Sequence, residues 1–265
     1  RQGQSEGVIL MLTVDDVIGR LGVLKQARAP YEPMWRDITD YVLPRRSFWD
    51  LDAVPGQKPS QKIYDGAAID ALQTMSDGLQ SGVVSAKLRW FRLTMEDGRL
   101  QNQPGVADWL EETEDVLYAE FARSNFYEAI SELFMDAGSI GTSVMLVEDE
   151  IAHRRLLFST RHIKECYIAE SRTGMVDTLY REFYMTNRQA QQTWRKGLSE
   201  GRLRAAEREP FGRGKFVHAC FPRAERDPGK VDQLNKSFSS VYVDAQFHEG
   251  KFIDEGGFDA FPYLC

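Results

Sequence analysis

Residues Phe211, Gly212, Arg213, Gly214 and Lys215 place a lysine directly behind a glycine-rich stretch, the arrangement in which backbone N–H groups cradle a phosphate. That chemistry also needs a glycine five residues before Gly214, where Glu209 stands, and a hydroxyl after the lysine, where Phe216 stands. The segment reads as a loop. Gly138, Ser139, Ile140 and Gly141 set a serine among glycines but lack the Gly-x-Ser-x-Gly elbow that presents a nucleophile at a strand-to-helix turn, so a helix terminator is the better reading. His153, His162, His218 and His248 include no pair at the i, i+4 spacing that puts two imidazoles on one helix face for a metal. Glu148, Asp149 and Glu150 follow a strand, as nuclease carboxylates do, yet no paired lysine or second acidic strand motif accompanies them, and an exposed turn explains them equally well. Trp90 and Phe91 have the rings to stack bases, but Leu88 and Leu93 flank them and mark the segment as core. The expectation is a chain with no catalytic residues, no cofactor and no metal site.

Charge offers one further candidate. The chain carries a formal net charge of −7, which disfavours gripping nucleic acid as a main task, because that affinity comes mostly from Lys and Arg neutralising phosphates. Between Thr186 and Lys230, however, eleven Lys or Arg face five Asp or Glu. Arg188, Arg195, Lys196, Arg202, Arg204 and Arg208 form the heart of this basic island. It reads either as a solvated helix pair or as a docking face for an acidic partner or nearby DNA.

The elements that position these residues divide the chain into two textures. Thr13 can cap a helix whose first turn holds Asp15 and Asp16, and Pro30 and Pro33 must bend or restart it. A second helical piece runs from about Met34 to Val42, and Pro44 to Lys62 is a loop by composition. A long amphipathic helix opens at Asp65 with Ile69, Leu72, Met75, Leu79 and Val83 on one stripe, and Gly78 and Gly82 on it suit close approach by another helix. It runs into an extended strand around Trp90. Val106 to Arg123 keeps helical spacing behind Pro104. Ser124 and Asn125 break that helix and cap the next, which Gly138 and Gly141 end.

From Ser143 the pattern changes to short strands: Val144 to Val147, Cys166 to Ala169 and Met175 to Tyr184 around a hairpin turn at Ser171 to Gly174, Lys215 to Phe221, Ser240 to Phe247 and Lys251 to Ile253. Thr186 with Gln189 is a capping-box pattern opening a helix to about Lys196. The fold class expected is α+β, a helical N-terminal half followed by a strand-rich mixed half. At 265 residues with 42% hydrophobic content, a core burying about 70–75% of the unfolded surface is within reach, which excludes disorder as the default.

Cys166, Cys220 and Cys265, odd in number and widely spaced, give neither a disulfide framework nor a zinc signature, so a reducing compartment is the simplest inference. Val8 to Leu12 is too short and too poorly flanked by positive charge to act as a signal peptide, and no stretch approaches the ~18 apolar residues that span a bilayer. Residues 1–12 read as a leader outside the fold, with no membrane partner expected.

Taken in order, the segments resemble the portal (head-to-tail connector) proteins of short-tailed bacteriophages. The resemblance rests on Arg28, Ala29, Pro30, Tyr31 with Trp35, Ile38, Tyr41 to Pro44; Tyr64 and Asp65 heading the long helix; Leu88 to Leu93; and Ser124, Asn125, Phe126 with Ala137 and Gly138. It continues through Tyr167 to Glu170 with Gly174, Tyr184 to Thr186 with Arg188 to Ala190, His218 to Arg223, and Gly256 to Phe258 with Phe261 and Pro262. The resemblance implies a structural subunit of a ring, usually of twelve copies, at one capsid vertex. Double-stranded DNA passes through that ring without sequence-specific binding during packaging and ejection. The partners it implies are the terminase motor, tail adaptors, capsid or scaffolding proteins and sister copies. The location it implies is the virion, with host cytoplasm during assembly, and ATP hydrolysis belongs to the terminase. A nucleic-acid-processing enzyme or motor accessory of a phage assembly module is the alternative.

Family members continue beyond the position of Phe261 to Tyr263 through stem, clip and crown. The resemblance therefore implies a wing-like portion, with 13–142 as a helical wing region and 143–265 as a mixed α/β wing region. Ring subunits meet through heterologous contacts that close only at the right rotation, so this chain alone is expected to be a monomer or weak oligomer.

Overall fold

The computed structural model describes residues 12–46, 63–101, 103–150, 154–224, 226–227 and 229–265. The expected leader apart from Leu12, most of the loop from Pro44 to Lys62, Trp49 and His153 lie outside the described residues. In chain order the elements are α1 (Val14–Arg28), α2 (Glu32–Tyr41), α3 (Ala67–Val83), α4 (Gly98–Gln101), α5 (Val106–Arg123), α6 (Phe126–Ile140), β1 (Val144–Glu150), β2 (Arg155–Arg161), β3 (Cys166–Glu170) and β4 (Val176–Thr186). There follow α7 (Asn187–Trp194), α8 (Glu200–Arg208), β5 (Arg213–Pro222), β6 (Phe238–Asp244), β7 (Asp254–Phe258) and β8 (Tyr263–Leu264). Helices come first and antiparallel sheets second, so the class is α+β. No helix among the described residues is long and apolar enough to cross a membrane.

Local signals account for many boundaries. The Thr13 side chain accepts from the Asp16 N–H while Asp16 accepts from the Thr13 N–H, closing a capping box at α1. Pro30 falls in a 3-10 turn between α1 and α2, and Pro33 occupies the first turn of α2, where a missing N–H costs nothing. The Asp65 carboxylate accepts from the Ala67 N–H at 3.0 Å and starts α3. Thr186 and Gln189 form the capping box of α7.

Contacts divide the described residues into two compact units that interleave in sequence: one joins those up to Pro30 with those of Lys164–Phe261, the other joins those of Tyr31–Ile163 with Pro262–Cys265. The first is built on a five-stranded antiparallel sheet in the order β3-β4-β5-β6-β7. Strand alternation gives this sheet two apolar faces. Val217, Ala219, Val241, Val243 and Tyr180 pack with Val14, Val17, Leu21 and Leu24 of α1 on one face. Phe183, Phe216 and Tyr242 pack with Ala190, Trp194, Leu198 and Leu203 of the α7–α8 pair on the other. Covered on both sides, β5 is buried almost throughout.

The second unit packs α3 against α6 beside a three-stranded antiparallel sheet ordered β2-β1-β8. Its core joins Phe126, Ala129 and Ile130 of α6 to Met145 of β1 and Phe158 of β2, with Trp90 and Phe121 against them. Trp90 stacks on Phe126 at 6.0 Å between ring centroids, and Phe121 lies 4.5 Å from Phe126.

Several sequence expectations change here. The segment at Trp90 is not a strand and joins no ladder. Instead the N–H groups of Trp90 and Phe91 donate to Tyr118 Oη at 2.7 and 2.8 Å, Tyr118 donates to the Phe91 carbonyl at 3.0 Å, and the Leu93 N–H donates to Glu114 Oε1 at 2.8 Å. Side chains of α5 thus take the place of a partner strand. Gly78 and Gly82 have open space where a Cβ would go, and the close approach falls at Gly138, inside α6, where a Cβ would meet the Met75 side chain of α3. Gly141, at φ 85°, is the glycine that ends α6. Asn125 makes no cap bond. Its amide pairs with the Phe158 backbone, donating to the carbonyl at 2.7 Å and accepting from the N–H at 2.9 Å, as a strand residue would. The final strand of the larger sheet begins at Asp254 rather than Lys251, and β2 had no period-2 signal.

Candidate functional site

The basic island lies on the helix pair inserted between β4 and β5. Ladder pairs Met185↔Gly214 and Thr186↔Arg213 bring the ends of the insertion together, so α7 and α8 fold back over the sheet. Ser199 caps α8 by accepting from the Arg202 N–H. Arg188, Arg195, Lys196, Arg204 and Arg208 are exposed. Arg204 pairs with Glu200 one turn earlier at 2.8 Å, both groups well exposed, a contact worth about 0.3–0.5 kcal/mol. The other four make no ion pair among the described residues.

Arg202 belongs to a different category and is corrected as a docking residue. Its side chain is 2% exposed and points into the sheet, where Nε donates to Asp244 Oδ2 at 2.7 Å and Nη2 to Asp244 Oδ1 at 2.8 Å. Nη1 donates to Asn187 Oδ1 at 2.9 Å, Nη2 also to Gln246 Oε1 at 2.7 Å, and the guanidinium lies 5.1 and 4.8 Å from the Phe216 and Phe247 rings. Gly214 leaves the space it needs, since a Cβ there would lie 2.5 Å from Nη1. Burying a guanidinium is costly unless its charge and donors are satisfied, and here they are. A signal for this was present: Arg202 and Ala206 share one helix face, at i and i+4, beside Leu198 and Leu203. Asp244, Asn187 and Gln246 carried no such signal, because they come from two segments remote in sequence from Arg202, the start of α7 and the end of β6 with the turn that follows it.

Beside the exposed arginines is an open cavity of about 350 Å³ lined by Gly201, Arg204, Ala205, Arg208, Glu209 and Phe247. The turn carrying Phe247 is fixed by Asp244, whose Oδ1 accepts from the N–H groups of Gln246 and Phe247 at 2.9 and 3.0 Å.

The other chemical candidates are dispersed. Of the glycine-rich stretch expected to be a loop, Arg213, Gly214 and Lys215 instead open β5 on the ladder to β4, and Lys215 pairs with Glu182 at 2.5 Å. Ser139 donates to the Met135 carbonyl of its own helix. His162 contacts the Arg46 carbonyl, His218 contacts Ser240 and stacks on Tyr242, and His248 accepts from the Gly250 N–H. Glu148 faces Arg161 at 3.6 Å and Asp149 is exposed. Among the described residues no group of three or more His, Cys, Asp or Glu is placed to hold a metal ion.

Comparison with known proteins identifies the class. This chain belongs to the bacteriophage head to tail connecting protein family, whose model matches residues 14–265. It is similar to the probable portal protein of Bordetella phage BPP-1, at 31% identity over 259 residues. It is also similar to the portal protein of Salmonella phage epsilon15, at 32% identity over 258 residues. Each alignment covers 94% of this chain and 45% of the relative, so the chain spans about half the length of the curated relatives it matches.

Proposed function

We propose that this chain is part of a structural portal subunit, one member of a homo-oligomeric ring at the capsid vertex through which double-stranded DNA is packaged and ejected. The observation that carries this reading is the likeness to two proteins named as portal proteins across 94% of the chain, together with the family match. In this reading residues 13–142 and 143–265 supply the peripheral wing of the subunit, and the ring meets terminase, tail adaptors and capsid or scaffolding proteins. Assembly takes place in the host cytoplasm and the finished ring resides in the virion. DNA passes through that ring without sequence-specific binding, and the net charge of −7 is in keeping with a weak grip on it. The basic helix pair, through Arg188, Arg195, Lys196, Arg204 and Arg208, serves as a docking face for an acidic partner, with Arg202 holding that face to the sheet.

Negative-stain microscopy of the full-length gene product tests this. Closed rings, usually of twelve subunits, are expected. A protein that stays monomeric at high concentration and cleaves DNA in the presence of Mg²⁺ would exclude the structural reading.

A further inference from the structure

The basic face has a specific complement elsewhere on the same chain. Along α5, Trp109, Glu112 and Val116 stand at i, i+3 and i+7, which puts them on one stripe. Trp109 is 58% and Val116 61% exposed. Single exposed apolar residues are ordinary, but this stripe is bordered by Asp108, also exposed, so that Asp108 and Glu112 stand one turn apart along one side of the aromatic ring. The opposite face of α5 is used inside its own unit, through Leu110, Glu114 and Tyr118. Asp108 and Glu112 have no ion-pair partner among the described residues.

The cavity on α8 is the inverse of that stripe. It offers the Phe247 ring, the small Gly201 and Ala205, and a charged lining of Arg204, Arg208 and Glu209, with Arg204 also paired to Glu200. Gly201 lies close against Phe247, where a Cβ would approach its ring to 2.9 Å, so the floor of the cavity is set by packing. We propose that the α5 stripe of one copy docks on the α8 cavity of a second copy. Trp109 enters against Phe247 and between the guanidinium groups, and Asp108 and Glu112 face Arg204 and Arg208. Aromatic stacking, cation–π contact and opposed charge then act together. Two unlike patches on one chain make a head-to-tail contact that propagates from copy to copy, the kind a ring requires. The inference rests on the portal reading and adds to it which surfaces meet. A second copy is favoured over DNA as the occupant because a phosphate backbone has no apolar knob for the Phe247 cavity and would not face the carboxylates of α5.

The test is sedimentation velocity on the full-length gene product with charge reversal on each side, D108K/E112K and R204E/R208E, and the four changes combined. All four positions are exposed, and circular dichroism melting verifies that each variant is folded. Each two-residue reversal is expected to raise the concentration for half-assembly at least about 10-fold. The combined variant is expected to recover assembly, because its charges are again opposed. W109A is expected to weaken assembly about 30-fold, as loss of a central aromatic anchor does. Assembly unchanged by these substitutions, or broken by each reversal and not recovered by the combination, overturns the pairing while leaving the portal reading intact. DNA binding lost in R204E/R208E with assembly unaffected assigns the basic face to DNA and likewise overturns it. A wild-type product that never assembles removes the portal reading itself, and this inference with it.

Discussion

Arg202 and Asp244 meet end to end in the interior of the larger sheet, guanidinium to carboxylate through two hydrogen bonds of 2.7 and 2.8 Å, each side chain 2% exposed. One residue comes from the inserted helix pair and the other from β6, so the contact ties the basic face to the sheet beneath it. Truncating the carboxylate in D244A leaves a buried cation without its counter-charge and also frees the Gln246 and Phe247 N–H groups. The expected loss is about 3–5 kcal/mol in urea denaturation. The apolar pair R202M/D244L is expected to recover most of it, since neither desolvated charge then remains. A D244A protein within about 1 kcal/mol of wild type would show that the pair contributes little beyond its own desolvation.

Two carboxylates in the structure titrate with opposite sign. At Glu182 burial pushes the pKa up, but the Lys215 and Lys25 ammonium groups at 2.5 and 2.7 Å outweigh it and hold the carboxyl below its ordinary value of 4.5. Its contribution to stability is therefore present above pH 4.5 and is lost as pH falls through the lower folded-state value. At Asp136 burial wins over Arg46 and raises the carboxyl above its ordinary value of 3.8. The folded state then binds the proton more tightly than the unfolded chain, and stability rises as pH falls through the raised value. E182Q is expected to cost about 1–2 kcal/mol at pH 7 and much less at pH 3. D136N compares more favourably with wild type at pH 7 than at pH 3. Denaturant titrations at the two pH values check both, and parallel behaviour of the two variants would refute the assignment.

Neighbouring glycines in β7 are expected to respond differently to alanine. A Cβ at Gly257 would lie 2.6 Å from the Phe238 carbonyl oxygen and 2.8 Å from that of Gln233, both backbone atoms that cannot swing away. At Gly256 nothing lies within 4 Å. G257A is expected to lose about 1–3 kcal/mol through overpacking, and G256A to stay within about 0.5 kcal/mol of wild type. Thermal melting of the two single variants decides, and equal shifts would contradict the packing argument.

The Tyr118 hydroxyl serves three backbone groups of the Trp90 segment. Y118F keeps the ring stacked on Phe91 at 4.5 Å but leaves those groups without their partner. Stability is expected to fall by about 1–3 kcal/mol, with faster amide hydrogen exchange at Trp90 and Phe91 in particular. Unaltered exchange at those two amides would mean that packing alone holds the segment.

How much of this was legible beforehand depends on the range of the interactions involved. Helix starts at Thr13, Asp65 and Thr186, the hairpin around Gly174 and the helical spacing of Val106 to Arg123 could be read directly, because each is decided by residues within about four positions of one another. The docking candidates were legible as a basic island, and five of the six named arginines and lysines are exposed. The sixth, Arg202, is buried, and charge counting could not show it, since its partners lie 15, 42 and 44 residues away.

The sequence by itself determined the α+β class, the order of most elements and, through many weak matches in register, the portal family. Capping, periodicity and turn chemistry are short-range, and a family likeness sums small preferences over the whole chain. Only tertiary structure decided that α1 packs with the sheet formed by β3 to β7, that Trp90 is held by α5 side chains, that Gly138 takes the close helix contact, and that Arg202 faces Asp244. Those outcomes depend on which distant segments share a face once a particular volume is filled, and packing of that kind leaves no periodic trace along the chain.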